Sequence, residues 1–125
     1  MDYSDNFFYT KEHVWLKFLS DNKYQIGITN FAQDLLGDIV FIDIKPSEII
    51  LENQSMGVIE SVKTASDFIS PADGKILNIN HDLIKMPELI NDRPHESWIC
   101  EILIIETFNK NCFLSKAEYL DQIKN

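Results

Sequence analysis

Along most of the chain, apolar and polar residues alternate in short runs bounded by turn-forming residues, which is the period of half-buried strands. Residues 13–18 place Val14, Leu16 and Phe18 on one face, and residues 23–28, 38–44, 55–61, 65–70 and 75–80 read the same way. Residues 97–104 form a more continuous apolar run, as a buried strand would. Two stretches break this period. Residues 30–36 fit a short helix, with Asn30 and Gln33 spaced for a capping box and Gly37 just past the end. Residues 115–123 fit an amphipathic helix, with Ser115 and Glu118 at the same capping-box spacing. Residues 87–91 suggest a helical turn and 46–54 a polar connecting loop. Pro71-Ala72-Asp73-Gly74 reads as a turn in which Pro fixes φ, Asp bonds back to the backbone and Gly accepts φ > 0. Many short strands with few helices predict a mainly β sandwich or barrel, with Val40, Phe41, Ile76 and Ile102 among its core residues.

At 125 residues the chain suits one domain, 1–125, with one modest core. Acidic residues outnumber basic ones 20 to 11, giving a net charge of −9. Such a field repels phosphate backbones and anionic membranes, so neither nucleic acid nor a membrane is expected as a partner. It suits basic patches on partner proteins, and it equally suits plain solubility. Residues 1–10 lack the basic start and apolar run of a signal peptide, and residues 102–105 are far too few to span a bilayer. Cys100 and Cys112 have no metal-binding or redox spacing and fit a reducing compartment, with Cys100 serving packing. His13, His81 and His95 are scattered, so neither a metal site nor a catalytic triad is legible.

Composition alone does not distinguish Lys63 from the other nine lysines, and a lysine in a polar turn is ordinarily just solvated. Its position does set it apart. It lies between two strand-patterned runs, where a hairpin tip would hold its ammonium away from the body of the domain. Val62-Lys63-Thr64-Ala65 has no Gly or Asn to mark a tight primed turn, so a longer loop built on a type I turn is expected.

The octet Glu60-Ser61-Val62-Lys63-Thr64-Ala65-Ser66-Asp67 closely resembles the lipoyl-attachment motif of glycine cleavage H proteins. The resemblance continues in order through Tyr9-Thr10-Lys11-Glu12-His13-Val14-Trp15, the stretch from Gly27 to Asp38, Ser70-Pro71, Gly74, Asn80, Pro87-Glu88-Leu89-Ile90-Asn91, Trp98-Ile99 and Ala117-Glu118-Tyr119. Biotin carriers usually set their lysine between methionines, and lipoyl domains of 2-oxo-acid dehydrogenases usually put an acid just before it. Here the neighbours are Val62 and Thr64, followed by Ser66-Asp67.

The resemblance implies a lipoyl/biotinyl-type flattened β-barrel sandwich (a barrel-sandwich hybrid) and lipoate bound covalently to Lys63. It implies a carrier, not an enzyme, that shuttles the aminomethyl group of glycine. The implied partners are a pyridoxal-phosphate glycine decarboxylase, a tetrahydrofolate-dependent aminomethyltransferase, dihydrolipoyl dehydrogenase and the lipoate-attaching enzymes. A monomer in the cytoplasm is expected, or in the mitochondrial matrix if a transit peptide has been removed. The same lysine would also serve a second role, a relay passing lipoyl or octanoyl groups to other lipoyl domains. An enzyme in its own right is the weakest reading, because no nucleophile–base pair or metal cluster is visible.

By the same resemblance, Glu60 and Asp67 orient the modifying enzyme, although acids near a hairpin tip are often merely solvated. The family usually carries an acid at the position of Val14, where it would hold the loaded arm's amine protonated. On a strand Glu12 and Val14 would face the same way, so Glu12 is expected to supply that charge, with Asp67 sharing the task. The competing expectation is that Val14 only extends the core stripe while Glu12 is solvated. Trp15 and Trp98 read as packing aromatics, and Gly27, Gly37 and Gly74 as backbone requirements. The chain departs from the family pattern at Val14, in the glycine-free segment 46–54 and around residues 93–103.

Overall fold

The computed structural model describes residues 3–45, 49–105 and 113–124. Their elements run β1 (Phe7–Tyr9), β2 (Val14–Ser20), β3 (Lys23–Ile28), α1 (Asn30–Leu36), β4 (Ile39–Ile44), β5 (Ser55–Ser61), β6 (Ala65–Ile69), β7 (Gly74–Ile79), α2 (His81–Lys85), α3 (Leu89–Asp92), β8 (Cys100–Ile104) and α4 (Lys116–Ile123). The strands form a five-stranded sheet, β1-β2-β3-β8-β7, and a three-stranded sheet, β4-β5-β6. Every pairing is antiparallel.

One apolar core joins the two sheets. Val14, Leu16, Ile26 and Ile102 enter it from the larger sheet, and Ile39, Ile42, Ile59 and Phe68 from the smaller. Each such side chain contributes roughly 1.5–3 kcal/mol by leaving water. Because strand side chains alternate between faces, Trp15 points the other way from Val14 and Leu16. It joins Tyr9 and Tyr119 in a second buried cluster, which α4 covers. Ser115 begins α4 with the reciprocal capping box expected from the sequence.

Several expectations require correction. The helix cap is Thr29 rather than Asn30: Thr29 is extended, and its Oγ1 accepts the Ala32 N–H. Gln33 does not reach back as a box partner, since its amide turns toward Gly37 and Asn91. Phe18 is 53% exposed, although Tyr24 directly opposite it on β3 is buried in the core. Val40 and Phe41 are exposed too. An irregularity between Ile39 and Phe41 shifts the register, and Ile39, Ile42 and Ile44 are the residues that face inward. Ile76 is only partly buried, while Ile102 is fully buried as expected.

Gly74 has no positive φ. It must be glycine because a Cβ there would run into the Leu103 carbonyl oxygen across the β7–β8 ladder. The Asp73 carboxylate accepts the Glu52 N–H rather than its own backbone. The strand foreseen from residue 97 begins at Cys100. Neither β1 nor α2 was foreseen; at three and five residues they are too short to display a period. Residues 46–48 of the expected loop and Cys112 lie outside the described residues.

Candidate functional site

The β5–β6 hairpin turns through Val62, Lys63 and Thr64, and no residue of this turn has positive φ. The absence of Gly and Asn is therefore consistent with its geometry. What closes the turn is Ser61. Its Oγ accepts the backbone N–H of Lys63 at 3.2 Å and of Thr64 at 3.1 Å, and its hydroxyl lies 3.2 Å from Thr64 O. Its backbone N–H also donates to Thr64 O at 2.8 Å. Serine in this role was missed in the sequence, although a hydroxyl two and three residues ahead of free N–H groups is a known turn signal.

Lys63 is exposed, and its neighbour Val62 is 72% exposed. The lysine stem does not project freely. A Cβ built on Gly37 would lie 3.1 Å from Lys63 Cε and 3.7 Å from Cδ and Nζ, so the side chain lies over the link between α1 and β4. Gly37 has φ 86°, which favours glycine on its own account. The adjoining Asp38 carbonyl accepts the Val62 N–H at 3.0 Å. The hairpin tip is thus tied to the body of the protein by the Val62–Asp38 backbone hydrogen bond, with the Lys63 stem lying near Gly37.

The antiparallel register places Phe41, Asp43, Val58, Glu60, Ala65 and Asp67 on one face of the small sheet: Phe41 opposes Glu60, Asp43 opposes Val58, and these oppose Ala65 and Asp67. This face is turned away from Ile42 and Ile59, which fill the core. Glu60 and Asp67 are therefore brought together on the outer surface of the lysine hairpin. Glu60 is half-buried, and Asp67 accepts a hydrogen bond from Ser55 Oγ at 3.1 Å.

Glu12 lies elsewhere. It lines a cavity of about 220 Å³ with Thr10, Glu52, Asn53 and Pro71. Asn53 precedes β5 and Pro71 follows β6, so Glu12 is at the open end of this hairpin, opposite the Lys63 tip. The shared face assumed for Glu12 and Val14 does not exist. Lys11 and Glu12 form a turn, His13 has φ 69°, and β2 starts only at Val14. Val14, at 1% exposure, simply belongs to the core stripe. Trp15 is the packing aromatic foreseen, its indole N–H bound to Pro94 O at 3.0 Å, and Trp98 packs half-buried beside it. Cys100 is buried and unpaired by disulfide, with burial pushing its thiol up to about 12.

Comparison with known proteins gives this hairpin its context. The family model described as glycine cleavage H-protein matches residues 7–125. The chain belongs to the glycine cleavage H-protein family. It is 44% identical over 113 residues to a glycine cleavage system H protein of Coprothermobacter proteolyticus, covering 89% of each chain. It is 40% identical over 121 residues to one of Chlorobium phaeobacteroides, covering 95% of each. The crystal structure of a glycine cleavage system H protein from Mycobacterium marinum superimposes with a TM-score of 0.88 at 28% identity, covering 98% of this chain and all of that one. The H-protein architecture is thus the flattened lipoyl-type sandwich described above, with two sheets that do not close on each other. Among the described residues of this H-protein family member, no helix is long and apolar enough to cross a membrane.

Proposed function

We propose that this chain is the lipoyl carrier of a glycine cleavage system, with lipoate attached to Lys63. The observation that carries this reading is the accessible lysine at a hairpin tip whose turn is fixed by Ser61 and tethered to Asp38. An amine so placed fits the attachment: it is open to solvent, and acylation replaces a hydrated ammonium by a neutral amide without disturbing the core. The bound lipoyl dithiolane supplies the carrier chemistry for the aminomethyl group of glycine. The chain's own residues do something different. The hairpin presents the arm, the two sheets keep it rigidly mounted, and Glu60 and Asp67 give the enzymes that modify Lys63 an acidic face to read.

In this reading the chain is a carrier with no reaction of its own. It passes the aminomethyl group from a pyridoxal-phosphate glycine decarboxylase to a tetrahydrofolate-dependent aminomethyltransferase, and dihydrolipoyl dehydrogenase restores the disulfide. It works as a cytoplasmic monomer and folds as one domain. The test is intact-mass and peptide mapping of protein made with lipoate available, followed by glycine–bicarbonate exchange with the decarboxylase. A lipoyl increment on Lys63 together with exchange supports the shuttle. No increment on Lys63 overturns it, and an increment without exchange would turn the reading toward a lipoyl relay.

A further inference from the structure

The segment under the Lys63 hairpin, Gly37-Asp38-Ile39, is itself held by two side-chain amides from outside it. β4 is an edge strand of the small sheet. On its free edge, Asn91 of α3 brackets Ile39: Asn91 Oδ1 accepts the Ile39 N–H at 2.9 Å, and Asn91 Nδ2 donates to Ile39 O at 3.2 Å. One side-chain amide thereby takes the place of a neighbouring strand. Gln33 Nε2 donates to the same Asn91 Oδ1 at 3.3 Å and to Gly37 O at 3.2 Å. The other side of the segment faces the hairpin, where Asp38 O receives the Val62 N–H and Gly37 underlies the Lys63 stem. Gln33 is buried and Asn91 half-buried, so these hydrogen bonds are shielded from competing water.

We propose that Asn91 and Gln33 are positioning residues for Lys63, fixing residues 37–39 as a seat that holds the lysine amine in one place for acylation. The inference rests on the reading of Lys63 as the modified residue. In that reaction the deprotonated amine attacks the carbonyl of a lipoyl group activated by the attaching enzyme. The N–C bond forms, the activating group leaves with the electron pair of its bond, and the surplus amine proton goes to solvent. The amine must be brought to the carbonyl in the right geometry, and a misplacement of about 1 Å from a change remote from the chemistry can cost on the order of a hundredfold. Neither amide touches the amine, so each acts only through the seat.

The test compares the full-length parent with Asn91→Asp, Gln33→Met and Leu114→Ala. Asn91→Asp keeps the volume and the acceptor but cannot donate to Ile39 O. Gln33→Met keeps the helix former and removes both donations. Leu114→Ala weakens the second cluster and serves as a control for plain loss of stability. Acylation of Lys63 is followed by mass spectrometry with a lipoate-attaching enzyme, lipoate and ATP, and hydrogen exchange of the Val62 amide is measured in the same proteins. We expect kcat/KM to fall about threefold to tenfold in each of Asn91→Asp and Gln33→Met, with Val62 exchange quickened by similar factors, as loss of one or two shielded hydrogen bonds implies. Leu114→Ala should stay within about twofold of the parent on both measures, since its site shares no partner with the seat. Parent-like kcat/KM in both seat variants, or an equal loss in Leu114→Ala, overturns the inference. If Asn91→Asp does not fold, Gln33→Met decides. If the parent itself takes no acyl group on Lys63, the proposed function fails, and the seat is then judged on Val62 exchange alone, an unchanged rate overturning it.

Discussion

The hydroxyls of Tyr119 and Thr29 lie 2.7 Å apart, and this contact ties the last helix of the chain to the cap of the first. Thr29 Oγ1 also accepts the Ala32 N–H, and Tyr119 OH lies 2.7 Å from His13 Nδ1. One arrangement satisfies every group: Ala32 N–H to Thr29, the Thr29 hydroxyl to Tyr119, and the Tyr119 hydroxyl to a neutral His13. The other N-terminal donors of α1 are met as well, Asn30 N–H by His95 Nε2 and Phe31 N–H by Tyr3 OH. Tyr119→Phe keeps the ring stacked on Tyr9, 4.9 Å between centroids, but leaves the buried Thr29 hydroxyl without its partner. The expected loss is about 1–2 kcal/mol, or roughly 4–10 °C in Tm. A thermal melt matching the parent would contradict it.

His13 gives this arrangement a pH dependence. Burial holds its pKa below the ordinary histidine value, while the Glu12 carboxylate pulls in the opposite direction. The folded pKa is the depressed one, so the unfolded chain binds more protons in the window between the two. Stability is therefore fully present above the unfolded value of about 6.5 and declines as pH falls through the folded pKa. A histidine-resolved NMR titration should place the His13 midpoint below about 6.5. Glu12→Gln, which removes the opposing charge, should lower it further. A midpoint unchanged in Glu12→Gln would show that the carboxylate does not reach the ring.

Trp15 and Gly27 are directly opposed across β2 and β3. A Cβ on Gly27 would lie 2.7 Å from two indole carbons, so Gly27→Ala must displace the ring that donates to Pro94 O. The cost of that displacement exceeds the entropic gain of Ala over Gly, and a loss of about 2–4 kcal/mol is expected. Adding Trp15→Phe makes room for the methyl, so the double variant should lose about 1 kcal/mol less than the sum of the two singles. Strict additivity in urea unfolding would show that the two sites do not press on one another.

The course of the strands was legible because each buried face leaves a period-two trace, and β3 and β5 begin and end where that trace predicts, while α1 has the bounds that its break from that period and Gly37 suggest. Lys63 was legible through the octet around it. Its mounting was not. Asn91 lies 52 residues from Ile39, and Tyr119 lies 90 residues from Thr29. No local pattern signals a side chain that completes another element's backbone. Val40 and Phe41 misled for a related reason: a single register shift carries apolar residues to the outside while composition still reads as core. Glu12 misled because a left-handed residue at His13 interrupts the strand geometry on which its facing was argued.

Ser61 and Lys63 separate the shape of the hairpin from its chemistry. Lys63→Arg retains the positive charge and the long stem over Gly37, and it removes only the amine that acylation requires. An exposed residue of this kind contributes little packing, so stability should stay within about 0.5 kcal/mol of the parent while the lipoyl increment disappears. Ser61→Ala does the reverse. It leaves the amine intact but strips the backbone N–H groups of Lys63 and Thr64 of their acceptor. Both groups can turn to water at this exposed site, so the stability cost should be no more than about 1 kcal/mol. The turn should nonetheless sample more conformations, and acylation of Lys63 should slow several-fold. Ser61→Thr, which restores a hydroxyl at the same place, should recover most of the rate. Mass-spectrometric time courses of the three variants decide the matter: a lipoylated Lys63→Arg protein would place the arm on another lysine, and a Ser61→Ala protein modified as fast as the parent would show that the hydroxyl is dispensable for presenting it.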